Sequence, residues 1–498
     1  MPTRAEIPRP SHHSYEHIWT DDLPVCRLSG VGSSTNQLYR EDGMRQDEHP
    51  CEDRSFHIRV NESTYLYGVF DGHDGGEAAQ FALQRMVYEI LFGQLDGKAS
   101  DEEIKDVLRQ AFLAVEKSYM ESIDDRLAER AKLQMHIPDD LSEYEAYKKF
   151  PHLVDRLKSL NGELSCGTTA VVALVYGGRL FVANVGECRA LLCKTDKDGV
   201  LRVLQLSVDH NLTNEDELLR LEQLGLDINR LKQEHRIGNQ ENSRCIGNYL
   251  VKGGYKEIEE LVSALSEPVI AEPEVHGGIP LDESCRFLML MSDGVYKSLE
   301  SATRTDQVNI ELAQFAVDEF RNQSTLTGIA QAVVDKIGRI HHDVFMSNHL
   351  SREINHPPPA GCPKGRRDDM TLLLRNFNFD IPNALHSPSV PASIFQPTFK
   401  APVIESSGST STFNEDCHPA GAIKNSTSTL QDTNAGVETV RSILDAPSTE
   451  GSSSDGITSQ AAIAPPAPIL PYVDFSEYYQ NVERARQERK LPEDISFE

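Results

Sequence analysis

A layered α+β body over residues 25–380, followed by a disordered linker and a C-terminal amphipathic helix, is the fold class predicted here, on three observations. Apolar runs with β-forming residues, Leu66-Tyr67-Gly68-Val69-Phe70 and Phe287-Leu288-Met289-Leu290-Met291, stop abruptly at Asp71-Gly72 and Ser292-Asp293-Gly294. Buried strands therefore deliver carboxylates at their edges. Helical stripes come in blocks beside strands, which points to layers of helix against antiparallel sheet. After Asp380 the composition turns to Ser, Thr, Pro, Ala and Gly, too poor in large apolar groups to offset the entropy of ordering the backbone.

In chain order, residues 1–24 read as a flexible lead, with the sole tryptophan, Trp19, packing a loop against the body. Residues 29–52 carry turns and an edge strand. Helices are expected over 76–95 and 101–133, the second presenting Ile104, Val107, Leu108, Ala111, Phe112, Val115 and Tyr119 as one core-facing stripe. Residues 136–151, with two prolines and many charges, read as an exposed excursion before a helix at 153–160. Strands follow at 168–176, 180–185 and 190–193, the first two joined by a tight turn at Gly177-Gly178. A helix starts at the polar cap Thr213-Asn214-Glu215-Asp216. Another spans 326–340, before a loop with Pro357-Pro358-Pro359 and a last strand at 371–377.

Length alone, 498 residues, would suggest roughly two to four domains. With 77 acidic against 49 basic residues the net charge is −28, and the basic stripe needed to neutralise phosphates is absent, which argues against nucleic acid and acidic membranes as partners. The nine cysteines are scattered, without metal spacing or a disulfide framework, and read as reduced thiols of a cytoplasmic or nuclear protein. The N-terminus has no apolar signal region and no run is long enough to span a bilayer.

Residues 381–468 form the linker, with Ser387-Pro388 and dense hydroxyls as modification candidates. Residues 469–498 regain aromatics: Tyr472, Phe475, Tyr479 and Val482 share one face at helical spacing. A tethered amphipathic helix suits docking into a partner's groove, with folding back onto the body as the alternative.

Glu52-Asp53, Asp71, Asp293 and Asp368-Asp369 bring carboxylates from four segments. Were they to converge, they could not all ionise without cations. Oxygen-only ligation suits Mg²⁺ or Mn²⁺, and two such ions about 3.5–4 Å apart would run phosphatase chemistry.

The ordered set Glu52-Asp53, Asp71-Gly72-His73-x-Gly75, Gly167-Thr168-Thr169-Ala170-Val171, Gly186-x-x-Arg189, Asp209-His210, Arg244-x-Ile246-Gly247, Pro273-Glu274-Val275, Asp293-Gly294 and Asp368-x-Met370-Thr371 resembles the PPM-type (type 2C) serine/threonine phosphatase domain over about residues 25–380. The resemblance implies a four-layer α-β-β-α sandwich. It implies that Asp71 bridges two Mg²⁺ or Mn²⁺ ions, that Glu52 and the Gly72 carbonyl complete one site and Asp293 and Asp368 the other, and that His73 is the acid for the leaving group.

Departures stand beside the matches. Active members carry Gly-Asp-x-Arg where this chain has Gly186-Glu187-Cys188-Arg189, Gly-Asp where Asn248 follows Gly247, and Trp-Asp where Tyr296-Lys297 stand. The phosphate-binding arginine is displaced: Arg45 is the nearest, and Glu48 holds the closer place. These departures, the linker and the Pro471-Tyr472-Val473-Asp474-Phe475 terminus resemble a pseudophosphatase of that family whose domain is a scaffold and whose terminal helix activates a kinase. That resemblance implies a TGF-β-activated MAP kinase kinase kinase as partner, docked by Tyr472, Val473, Phe475 and Tyr479, in stress and innate-immune signalling. Stress-activated MAP kinase and inhibitor-of-apoptosis proteins are further implied partners. The alternative is an active Mg²⁺/Mn²⁺ phosphatase that also carries a docking tail.

Overall fold

The computed structural model describes residues 19–380 except 41, 93, 139 and 354–364. The linker and tail expectations, with Tyr472, Val473, Phe475 and Tyr479, lie outside the described residues. In chain order the strands are β1 (Ser29–Ser34), β2 (Gln37–Tyr39), β3 (Arg45–Gln46), β4 (Arg54–Arg59), β5 (Thr64–His73), β6 (Gly167–Tyr176), β7 (Arg179–Val185), β8 (Arg189–Thr195), β9 (Leu201–Gln205), β10 (Ile246–Gly247), β11 (Glu274–Pro280), β12 (Cys285–Met291), β13 (Arg366–Arg367) and β14 (Met370–Asn376). One sheet runs β1-β14-β12-β8-β9 and the other β11-β7-β6-β5-β4, with β10 on β6; β13-β2-β3 form a small third sheet. Every pairing in the two main sheets is antiparallel.

Alternation along single strands explains the layering. Ala170, Val172 and Leu174 of β6 enter an outer core with Met86, Ile90, Leu108 and Phe112, while Val171, Ala173 and Val175 enter the core between the sheets. Likewise Leu288 and Leu290 of β12 face inward, and Phe287, Met289 and Met291 face the opposite helical layer. Strands buried on both faces read as continuous apolar runs. Each fully buried large side chain contributes about 1.5–3 kcal/mol. The outer layers are α1 (Glu77–Leu91) and α2 (Asp101–Ser122) on one side, and on the other three helices between Asp293 and Glu353. This is the α-β-β-α sandwich.

The helical stripe expected over 101–133 breaks at Ile123: α3 (Asp124–Gln134) begins anew there, with Asp124 and Asp125 in its first turn. Apolar periodicity does not register such a break, because buried Ile123 continues the stripe. The exposed excursion contains α4 (Glu143–Lys149), started by a reciprocal Ser142–Glu145 capping box and burying only Ala146. Pro151 opens α5 (Pro151–Ser165) at the first helical turn, where its missing N–H costs nothing. Further on come α6 (Glu215–Gln223), α7 (Ile228–Glu234), α8 (Asp293–Thr303), α9 (Val308–Asn322) and α10 (Leu326–Glu353), the last longer than the expected 326–340. Of the expected lead, Trp19–Asp22 forms a 3₁₀ turn in which Trp19 lies 6.1 Å from Phe92.

Two glycines let α10 lie directly on β1. A Cβ on Gly30 would meet the Thr327 amide nitrogen at 2.2 Å, and one on Gly32 the Ala330 carbonyl carbon at 2.4 Å. Gly32→Val is expected to cost about 3 kcal/mol or more, because backbone rather than a movable side chain must give way. A lower urea midpoint with unchanged slope is the readout.

Candidate functional site

A cleft of ≈1050 Å³ is lined by Glu52, Asp71, Gly72, His73, Asp293 and Asp368 together, with His49, Thr169, Gln240, Lys297 and Arg366 among its other walls. Asp71, Gly72 and His73 are the last residues of β5, held in register opposite Thr169, Thr168 and Gly167. Glycine at 72 permits close approach, since a Cβ there would lie 2.8 Å from the Glu52 carbonyl oxygen. Asp293 opens α8, and its amide points to Asp71 Oδ2 at 3.4 Å. Gly294 presses against the strand-entry segment, where a Cβ would lie 1.9 Å from the Asp369 carbonyl oxygen. That contact ties Asp293 to Asp368.

Buried polar groups fix this frame. Asp369 accepts from the Asn36 amide at 2.6 Å and from the Glu52 amide at 2.9 Å, which anchors the Glu52 backbone. Ser292 donates to Asp53 Oδ2 at 2.7 Å and accepts from the Thr371 amide at 2.9 Å. The other Asp53 oxygen, Oδ1, is buried without a hydrogen-bond partner.

Massed carboxylates disfavour one another's charge. Burial, opposed in part by His49, pushes Glu52 up to about 7. Burial likewise pushes Asp53 to about 8, and burial with the Asp293 charge pushes Asp368 to about 6. Asp71 rises well above the carboxylate range through burial and the charges of Asp293, Asp53 and Asp368. Asp293 goes the other way: burial opposes its charge, and the Lys297 ammonium outweighs burial.

Lys297 Nζ sits 2.7 Å from Asp293 Oδ2 and 2.8 Å from Glu187 Oε2. Glu187, buried, also accepts from Asn211 Nδ2 at 2.6 Å. Tyr296 donates to the Glu187 carbonyl at 3.1 Å and lies under the Arg189 guanidinium at 3.5 Å. Glu187, Tyr296 and Lys297, all departures, thus form one bonded group. Asn248, a further departure, holds a left-handed φ of 56° and donates to Gln240 Oε1 at 2.7 Å and Asn239 Oδ1 at 3.0 Å. His73 Nε2 lies 3.5 Å from Asn248 Nδ2, and burial lowers the imidazole to about 4.

All six residues read as metal ligands or acid therefore line one cleft. Arg45 does not: it is exposed on β3, while Arg236, Arg366 and Arg367 reach the cleft. Glu48 pairs with Arg366 at 2.9 Å, so the residue standing in the place expected for the phosphate-binding arginine meets a cation from a remote strand. Sequence reading missed the positioning roles of Asp369 and Ser292. Their position beside Asp368 and Asp293 was the available signal.

The donor set suits a hard divalent cation on one side. Glu52, Asp71 and the Gly72 carbonyl are oxygen donors, and among the described residues no lysine or arginine pairs with Glu52, Asp53 or Asp71. The orphaned Asp53 oxygen fits the same deficit of positive charge. On the Asp293 side the fit fails, because an ammonium already sits there.

Layered fold and acidic cleft together define a phosphatase-type body. The chain belongs to the protein phosphatase 2C family, whose model matches residues 30–337. It is similar to TGF-beta-activated kinase 1 and MAP3K7-binding protein 1 of Caenorhabditis elegans, 25% identical over 374 residues, covering 74% of this chain and 85% of that protein. It is also similar to probable protein phosphatase 2C 43 of Arabidopsis thaliana, 30% identical over 292 residues, covering 57% of this chain and 58% of that one. A solved serine-threonine phosphatase 2C from Toxoplasma gondii aligns with TM-score 0.39 and 18% identity over 71% of this chain and 96% of that chain. Among the described residues no helix is long and apolar enough to cross a membrane.

Proposed function

We propose that this protein is a regulatory activator of a TGF-β-activated MAP kinase kinase kinase, with the phosphatase-like body as scaffold and the C-terminal segment as activating contact. The observation that carries it is the similarity to the nematode kinase-binding protein over 74% of this chain. The Lys297–Asp293 pair supports a body without turnover, since an ammonium holds a carboxylate that an active member would commit to metal. Stress and innate-immune signalling, a cytoplasmic address, stress-activated MAP kinase and inhibitor-of-apoptosis proteins belong to the same reading. Tyr472, Val473, Phe475 and Tyr479 are its docking residues. Phe475→Ala is expected to weaken kinase association about 30-fold, because an aromatic anchor in a helix-in-groove contact carries roughly 2 kcal/mol. Unchanged pull-down would refute that assignment.

The second reading, a working Mg²⁺/Mn²⁺ phosphatase with a docking tail, is favoured by Asp71, Asp293 and Asp368 sharing one cleft. Phosphate release from a phosphopeptide in millimolar Mn²⁺ separates the two. The scaffold reading expects none from folded protein; turnover lost in both Asp71→Ala and Asp293→Ala would establish the phosphatase.

A further inference from the structure

We infer that this cleft takes one divalent cation rather than two, with the Lys297 side chain serving as a built-in cation on the Asp293 side. The inference rests on the family's two-cation reading of the cleft and is independent of the tail, so its failure leaves the kinase-binding proposal standing. Lys297 Nζ is within hydrogen-bond distance of two carboxylates, Asp293 at 2.7 Å and Glu187 at 2.8 Å, with Glu241 at 3.9 Å. A divalent ion seated on Asp293 would face that ammonium at close range, a repulsion between like charges in a half-buried setting whose nearest carboxylates, Asp293 and Glu187, are already paired with Lys297. The clamp is braced: Lys297 follows Asp293 by one helical turn of α8, and the second carboxylate, Glu187, is only 5% exposed.

Among the described residues the opposite side has no such cation. Among the described residues Glu52 pairs with no lysine or arginine, its ionic neighbour being the His49 imidazole at 3.7 Å, and Asp53, 6% exposed, leaves Oδ1 unpartnered. Asp71 lies between the two sides, its Oδ2 facing the Asp293 amide. Glu52, Asp71 and the Gly72 carbonyl therefore call for one hard cation, while the charge of Asp293 is already matched.

Counting bound Mn²⁺ on the full-length chain, by calorimetric titration and by the loss of the free-ion electron paramagnetic resonance signal, tests this. Expected counts are one for the natural protein, two for Lys297→Met and none for Asp71→Asn. Two ions in the natural protein would overturn the blocking role of Lys297, and zero would overturn the open position. One ion in folded Lys297→Met would show that the lysine does not exclude the second. Thermal melts guard against a folding failure: Lys297→Met, with Asp293 and Glu187 left uncompensated, is expected to melt lower in chelator and to recover in Mn²⁺. Absence of that recovery counts against the inference, and Lys297→Arg should keep the count at one.

Discussion

Glu217→Ala is expected to destabilise the body by about 3–5 kcal/mol, the range for removing one partner of a buried ion cluster. Glu217 is 2% exposed and binds Arg220 at 2.9 Å, Arg244 and the Ser243 hydroxyl at 2.6 Å. Arg244 adjoins β10 and Arg220 lies on α6, so this carboxylate fastens the apolar cluster around Leu221, Leu231 and Val251 to the sheet. Removing it leaves two partly buried guanidinium groups facing each other. Burial opposes the Glu217 charge, but the Arg244 hydrogen bonds and the Arg220 charge outweigh it and hold the carboxyl at about 2 against 4.5 when free. Because the folded value is the lower one, the stabilisation is complete above pH 4.5 and is lost as pH falls toward 2. The shift corresponds to about 3 kcal/mol, in line with the mutational range. Urea unfolding of both proteins from pH 7 down to 3 should show a gap that narrows only below about 4.5. A gap independent of pH would assign the effect to packing instead.

Gly294→Ala should have the largest effect on the cleft for the smallest chemical change. The added methyl would lie 1.9 Å from the Asp369 carbonyl oxygen, so α8 must retreat and take Asp293 away from Asp368. A loss of about 3 kcal/mol is expected from the displaced backbone. The Mn²⁺-induced rise in melting temperature should shrink with it, since Asp369 also anchors the Glu52 backbone at 2.9 Å. Gly338→Ala is the contrast: it is helical, and its Cβ would meet only the Met370 methyl at 3.6 Å. That variant should be neutral or more stable by up to about 1 kcal/mol, as alanine favours helix over glycine. Equal losses in the two variants would mean that the close contact is not what matters at residue 294.

Strand runs such as 66–70 and 287–291 were legible because each is buried on both faces; the second ends where α8 begins, whereas β5 runs on in register through Asp71-Gly72-His73, past the strand end expected there. Asp71 and Asp293 were legible as charges stationed where apolar runs stop, and Asp368 as one stationed just before an apolar run begins. Helix α4 was hidden because seven residues with one buried alanine carry no stripe, although the Ser142–Glu145 box marked its start. Arg366 was hidden for a different reason. It reaches the cleft only because β13 pairs with β2, and a contact between residues 366 and 38 leaves no local trace. Lys297 was visible as an ammonium in the wrong place, but the buried Glu187 that completes its clamp becomes a partner only when β8 is laid beside β12.

On the proposed function the tail activates and the body scaffolds. The most direct test is activation of a TGF-β-activated MAP kinase kinase kinase by three proteins: the full chain, the chain truncated after residue 469, and full-length Asp71→Ala verified as folded. Activation by the first and third with none by the truncated chain is the expected result. Activation surviving truncation, or vanishing in folded Asp71→Ala, would contradict the account and return the working role to the acidic cleft.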